Sequence, residues 1–382
     1  MIIRNILLIF TCLSCVSQKE HLNTSFSHQL TIAESLLLPL DTLSGTYAPT
    51  IQVYSTHEED LLFVNDRKCR CINVYDLKRK ILLHKISLSK EGPDKITGNA
   101  IGMYVKSIDS IFIYSLGVPK VYLITQKGNI INVFDLPDGD PETKVGYHSY
   151  PVVTTSSPMF LNGHKLYINT YNIDNVKDHT KVYTCIELDI NTGKLNYLFP
   201  RPAFYNSGNW GFAAFRTTHY FIYDNDSDSF IISHGNMHNL IIENISGHQS
   251  EVFAGSNYIG DLSPISKDRK SFIDELETRR HEVRTGNYTS IISDPYRKVF
   301  YRLVTLPIPE NKQDKYKPGD LKSIIILDKE FKKIGEHLIP GGYDYSMNFV
   351  TEEGLHIFNK QKYEAGNEDY LIFDVFKLTQ NN

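Results

Sequence analysis

The sequence predicts an all-β fold, a six-bladed β-propeller. Three observations predict it: the composition is that of strands, one hairpin pattern returns six times, and a spare strand stands near the start of the chain where the last repeat lacks one. Of the 382 residues, 41% are hydrophobic and 22% charged, with 24 Tyr and 20 Phe beside a single Trp. Short runs rich in Ile, Val, Thr and aromatic residues suit a pleated, half-buried surface. The apolar share supports a packed core and excludes global disorder. The net charge of −4 offers no basic surface to displace counterions, which argues against a nucleic-acid partner.

Taken in chain order, the first element is a leader. Met1-Ile2-Ile3-Arg4 is a short positive segment, and the apolar run from Asn5 to Leu13 is too short to cross a hydrocarbon core of ~30 Å. It reads as a secretory signal. The run ends in Thr11-Cys12-Leu13-Ser14-Cys15, and a small residue before a cysteine there makes Cys15 the expected lipidation site. Residues 1–14 are then a lipoprotein signal peptide, 15–29 a polar tether and 30–382 the propeller. The expected location is the cell envelope, with the lipid at the outer membrane and the membrane itself as one partner.

The next strand-like run, Ile32 to Leu43, has no neighbour of its own. Six hairpins follow, beginning at Cys71–Asp76, Val121–Thr125, Cys185–Asp189, Leu240–Asn244, Ile324–Asp328 and Tyr370–Asp374. Each turns at Asp, Thr or Asn, whose short side chains cap tight turns. A short strand precedes each hairpin, and a weaker one precedes that, near Val152–Thr155 in the third unit. Three or four strands per unit, spaced by about 45 to 85 residues, is propeller spacing. The sixth unit nearly runs out of chain, so the Ile32–Leu43 run is expected to supply its outer strand and close the ring, hiding two sheet edges. The widest gap between hairpins holds one helical stretch, Lys267 to Val283, with Phe272, Ile273, Leu276 and Val283 near helical spacing. It is expected between blades four and five. Cys69 and Cys71 are read as two small residues on one strand face, with no metal role, and three body cysteines make no disulfide framework.

Links from the outer strand of one blade to the inner strand of the next share one face, and ligand sites favour long loops. Here these links are Ser89–Ala100, Pro137–Pro151, Phe199–Gly211, Gly255–Asn287 and Ile339–Asp344. Two stretches near this face have chemical content. The first runs from Arg201 to Phe212 and sets Tyr205, Asn209 and Trp210 among Gly and Ser; flat rings beside amides suit sugar or peptide contact. The second runs from Tyr288 to Arg302. In it Asp294-Pro295 makes a turn, Arg297 can bond the Asp294 carboxylate, and Arg302 alternates with Tyr301 across a strand, so that if buried it would need a carboxylate. With Arg216, the expected ligand-binding residues are Tyr205, Asn209, Trp210, Arg216, Tyr288, Asp294, Arg297 and Arg302. The acidic turn His57-Glu58-Glu59-Asp60 and the pair His234 and His238 lack a third ligand and read as loops.

The string Tyr288, Ile291, Asp294, Arg297, Tyr301, Arg302 after a helical insertion resembles an uncharacterised family of Bacteroidetes lipoproteins with TolB-like six-bladed propellers. The resemblance covers most of residues 30–380 and implies an envelope lipoprotein without a known activity. No nucleophile elbow, zinc-protease helix or phosphate loop occurs. The leading expectation is a binding propeller for a glycan, peptide or envelope protein, with no cofactor and no metal. The alternative is an envelope hydrolase or lyase acting on carbohydrate or peptide at the channel mouth, and a third is an architectural subunit.

Overall fold

The computed structural model describes residues 26–137, 149–171, 178–211, 218–312, 315–317 and 319–381. Six antiparallel sheets follow one another along the chain, one per blade. Blade one is β2 (Ile51–Ser55), β3 (Asp60–Asp66), β4 (Cys71–Asp76) and β5 (Ile81–Ser87), and blade two is β6 (Asn99–Ser107), β7 (Ser110–Leu116), β8 (Lys120–Ile124) and β9 (Ile130–Asp135). Blade three is β10 (Tyr150–Pro151), β11 (Phe160–Asn162), β12 (Lys165–Tyr171), β13 (Tyr183–Asp189) and β14 (Leu195–Pro200). Blade four is β15 (His219–Asp224), β16 (Ser229–His234), β17 (Asn239–Asn244) and β18 (Gln249–Phe253). Blade five is β19 (Asn287–Asp294), β20 (Val299–Thr305), β21 (Lys322–Leu327) and β22 (Lys333–Ile339). Blade six is β23 (Tyr343–Thr351), β24 (Gly354–Asn359), β25 (Tyr370–Gln380) and, at its outer edge, β1 (His28–Pro39).

The expected closure is therefore present. β1 pairs with β25 from His28 opposite Gln380 to Pro39 opposite Tyr370. Leu30, Leu36 and Leu38 of β1 turn inward and are buried. The ring is cemented between blades: six buried apolar clusters each draw residues from two neighbouring blades. The cluster that joins blade six to blade one sets Leu36, Leu38 and Phe373 against Ile51 and Leu62. Both faces of each sheet are thus covered, so central strands such as Asp60–Asp66 and Cys71–Asp76 are buried along almost their whole length.

The turns repeat a local chemistry. The Asp294 carboxylate accepts the N–H groups of Tyr296 and Arg297, Asp76 accepts that of Arg79, and Asp224 that of Ser227. Arg70, Lys80, Asp228 and Lys298 take φ between 50 and 57°, the left-handed step that returns the chain into its next strand. Asp76, Asp189 and Asp328, which marked the repeat in the sequence, hold their turns in this way; the sixth expected turn, at Asp374, is absent, because β25 runs through it to Gln380 to pair with β1.

Three local expectations need correction. Blade three was expected to carry an inner strand near Val152–Thr155, but its inner edge is only Tyr150–Pro151, and the chain leaves the sheet until Phe160. Pro151 and Pro158 have no N–H to give to a ladder. The released segment reaches blade one, where Thr155 donates its N–H to Pro49 and accepts the N–H of Ile51 on its hydroxyl. Blades one and three are not adjacent, so this contact crosses the inner rim of the ring. Secondly, α1 runs over Glu275–Thr285 and not from Lys267. The Asp274 carboxylate caps it by accepting the N–H of Glu277, and an uncapped earlier start leaves orphan donors. Phe272 is 89% exposed and Leu276 55%, while the buried helix residues are Thr278 and His281. Thirdly, Cys69 and Cys71 are joined in a disulfide. Cys69 sits in the turn before β4, not on the strand, and the turn brings its Cα within 5.4 Å of that of Cys71. Among the described residues no helix is long and apolar enough to cross a membrane.

Candidate ligand-binding site on the loop face

The aromatic loop is part of the scaffold. Ala203–Ser207 forms a 3-10 turn that turns Tyr205 inward, where it is fully buried, and Trp210 is 4% exposed. Their rings pack edge to face with centroids 5.6 Å apart, and Phe204 packs on Trp210 in the same way. Asn209 ties this loop to the blade four–five insertion: its amide donates to the Ser271 carbonyl at 2.7 Å, and its backbone exchanges hydrogen bonds with Ser266. A Cβ on Gly208 would lie 2.4 Å from the Ser266 carbonyl oxygen, so the close approach requires glycine. The insertion covers the rings that the sequence suggested as a stacking platform.

The second stretch is an inter-blade staple. Asp294 is fully buried and accepts from Arg297 and from the Tyr301 hydroxyl, both at 2.9 Å. The expected Asp294–Arg297 pair is thus formed. Arg297 continues to the carbonyls of Thr351 and Glu352, joining a blade-five turn to a blade-six turn. Arg302 is fully buried, but its partners are not a carboxylate. Its guanidinium donates to the carbonyls of His234, Met237, His238 and Ala254 and to the Ser233 hydroxyl. It lies 3.5 Å from the centroid of the Tyr288 ring. Burial lowers its pKa to about 10. Tyr288 is also buried, and its hydroxyl accepts the Ser256 N–H and pairs with the His238 ring. Several carbonyls and a hydroxyl satisfy more of the five guanidinium N–H donors than a single carboxylate would. Arg216 and Cys15 lie outside the described residues.

A large open concavity of this face lies elsewhere, between blades five and six. A groove of about 1340 Å³ runs along the β20–β21 connection, the Ile339–Asp344 link and α2 (Lys360–Glu364). All three segments belong to the face the sequence nominated, and the link is one of those it named. Among the described residues, lysines 312, 315, 317, 322 and 360 line the groove together with Asp320, Asp344 and Glu364. In a chain of net charge −4, the described lining residues carry a local excess of two positive charges, five less three. The Lys322 ammonium stands 4.1 Å above the Tyr345 ring centroid, and burial lowers its pKa, against the pull of Asp344 and Asp320. Tyr258, Pro307, Pro340 and Leu338 supply apolar surface beside these charges. Sequence reasoning missed the groove lysines. The signal available was the alternating Lys315-Tyr316-Lys317 in a long connection. Among the described residues, no cluster of three or more His, Cys, Asp or Glu is placed to hold a metal ion.

Residues 27–338 match the family model described as a domain of unknown function, DUF4221. The chain belongs to the DUF4221 family. A crystal structure of a DUF4221 member from Bacteroides vulgatus is similar over 94% of this chain and all of that one, at 20% identity and a TM-score of 0.77. A Bacteroides fragilis protein classed as exported is similar over 92% of this chain and 96% of that one, at 11% identity and a TM-score of 0.59. Both likenesses establish the fold. No curated protein matches the DUF4221 chain in sequence.

Proposed function

We propose that this chain is an envelope lipoprotein, held at the outer membrane through a lipid on Cys15, whose propeller binds an acidic glycan in the blade five–six groove. The TolB-like grouping belongs to the same reading. One observation carries the ligand: the groove of about 1340 Å³, whose described lining residues include five lysines and three carboxylates. Its volume exceeds the usual range for small-molecule pockets, about 300–1,000 Å³, so an extended chain suits it better than a single metabolite. Ammonium groups attract spaced acid groups, and Tyr258 with its proline neighbours offers flat apolar surface to sugar faces. The leader and Cys15 support export and anchoring, and a fold relative classed as exported agrees with them.

The test is calorimetric binding of uronic-acid oligosaccharides, neutral oligosaccharides and acidic peptides to the protein. Acidic oligosaccharides are expected to bind, more weakly as salt rises, and the double variant Lys322→Ala, Lys360→Ala is expected to lose at least tenfold in affinity. Equal binding of neutral sugars, or an unaffected double variant, refutes the groove. Tighter binding of acidic peptides moves the ligand class to protein, and turnover of the bound sugar moves the reading to the hydrolase or lyase alternative. Incorporation of labelled fatty acid that survives Cys15→Ala refutes the anchor.

A further inference from the structure

A second concavity lies on the ring axis, away from the lysine groove. It is a pocket of about 300 Å³ enclosed by inner-strand residues of four blades and by the blade-three segment that crosses the inner rim. Ile51 comes from blade one, Met103 from blade two, Ile222 from blade four and Ser293 from blade five; Met159 belongs to the crossing segment and Leu161 to β11, where the segment rejoins blade three. The pocket reaches Asn225 and Ser293 at the ends of their inner strands. It therefore faces the inner-turn side of the ring, opposite the loop face.

The chemistry of its wall selects a ligand class. Among the described residues, no charged side chain lines it. Most of its polar groups are already committed within the protein. The Thr50 hydroxyl donates to the Ile101 carbonyl, and both ends of the Gln52 amide bond the Val105 backbone. The Thr155 hydroxyl accepts from Ile51, and the Tyr223 hydroxyl is held by Asp228 and Asn162. What remains open is apolar, with the polarisable thioethers of Met103 and Met159 among it. Among the described residues, the Ser293 hydroxyl and the Asn225 amide line the pocket without a hydrogen-bond partner.

We infer that the axial pocket binds an uncharged, mainly aromatic small molecule with a single hydrogen-bonding group. A charged guest would lose its hydration with no counter-charge to meet it. An aromatic guest gains sulfur contacts from both methionines, and its one polar group reaches Ser293 or Asn225. The volume is at the small end of ligand pockets, about 300–1,000 Å³, which limits the guest to one or two rings.

The probe is indole. Residues 26–382 suffice as the sample, because β1 and β25 close the ring within them. Saturable methyl-resonance shifts are expected at Met103 and Met159 and not at Met347, which is buried in the cluster between blades six and one. Indole-3-carboxylate, the anionic analogue, is expected to bind at least tenfold more weakly. Ser293→Phe, which fills the pocket, should abolish the shifts, and Ser293→Ala should weaken binding several-fold. Lys322→Ala should leave the shifts intact, which separates this pocket from the groove. No saturable shift at either methyl, equal binding of the carboxylate, or shifts that persist in Ser293→Phe would overturn the inference. Should Ser293→Phe not fold, the carboxylate comparison and Ser293→Ala decide it.

Discussion

Replacing Arg302 by Met removes the fork that joins blade four to blade five while keeping an unbranched apolar stem. Of the four carbonyls the guanidinium reaches, two keep a backbone donor: His238 accepts from Ala254 and His234 from Met237. The carbonyls of Met237 and Ala254 have Arg302 as their donor, so they are left orphaned in a buried setting. Each unsatisfied buried acceptor costs about 1–3 kcal/mol, which gives roughly 2–6 kcal/mol for the pair. Loss of the cation over Tyr288 adds a desolvated cation–π contact of about 2 kcal/mol. Against this, a buried charge no longer has to be dehydrated. We expect a net loss of about 3–5 kcal/mol, read from urea unfolding followed by far-ultraviolet circular dichroism. Arg302→Lys keeps the charge but has no planar fork, so it should recover less than half of the loss. A loss under about 1 kcal/mol for Arg302→Met would show that water or backbone shifts satisfy the carbonyls, and the clamp argument would fail.

Acid should weaken the fold through buried neutral imidazoles. Burial, with Arg297 close by, lowers the pKa of His356 to about 4. Its folded pKa lies below its unfolded one, so the unfolded state binds the extra proton first and stability falls as pH drops from about 6.5 toward 4. At pH 5 this one group accounts for about 2 kcal/mol, and a His356→Gln variant should show a correspondingly flatter stability profile between pH 7 and pH 5. At the ring seam, Leu38 is fully buried between blades six and one. Leu38→Ala should cost about 2–5 kcal/mol in chemical unfolding, and an effect near zero would mean that β1 does not bear on closure.

Much of the fold was legible because its determinants are local. Asp76, Asp189 and Asp328 each hold their own turn with their own carboxylate, so the repeat could be counted by eye. Closure was legible from a surplus strand at one end and a deficit at the other. The helix start was misplaced because Phe272 and Ile273 matched the period while the cap, Asp274, set the boundary. The candidate site was hardly legible. Trp210 looked like a platform because nothing near it in sequence announces the cover, which comes from Pro264, Ser266 and Ser271, more than fifty residues on. Alternation put one of Tyr301 and Arg302 in the core, whereas both are buried, and the partners of Arg302 are backbone carbonyls, which carry no sequence signature. The groove depends on two separate connections meeting across a blade boundary, and spacing along the chain does not encode that meeting.

The seam between β1 and β25 also sets an order of events. Thr31 and Lys377 lie opposite each other in the seam although 346 residues separate them. Bringing such distant segments together carries the largest loop-closure cost in the chain, and topologies rich in distant pairing form slowly. Until the last strand is made, blade six lacks its third strand, β1 has nothing to pair with, and the apolar side chains of Leu36 and Leu38 stay uncovered. A growing chain of this design can stack blades one to five as it emerges and yet remain an open arc. Such an arc keeps an open seam between its first and last blades, and the ring is completed in one late step when tail meets head.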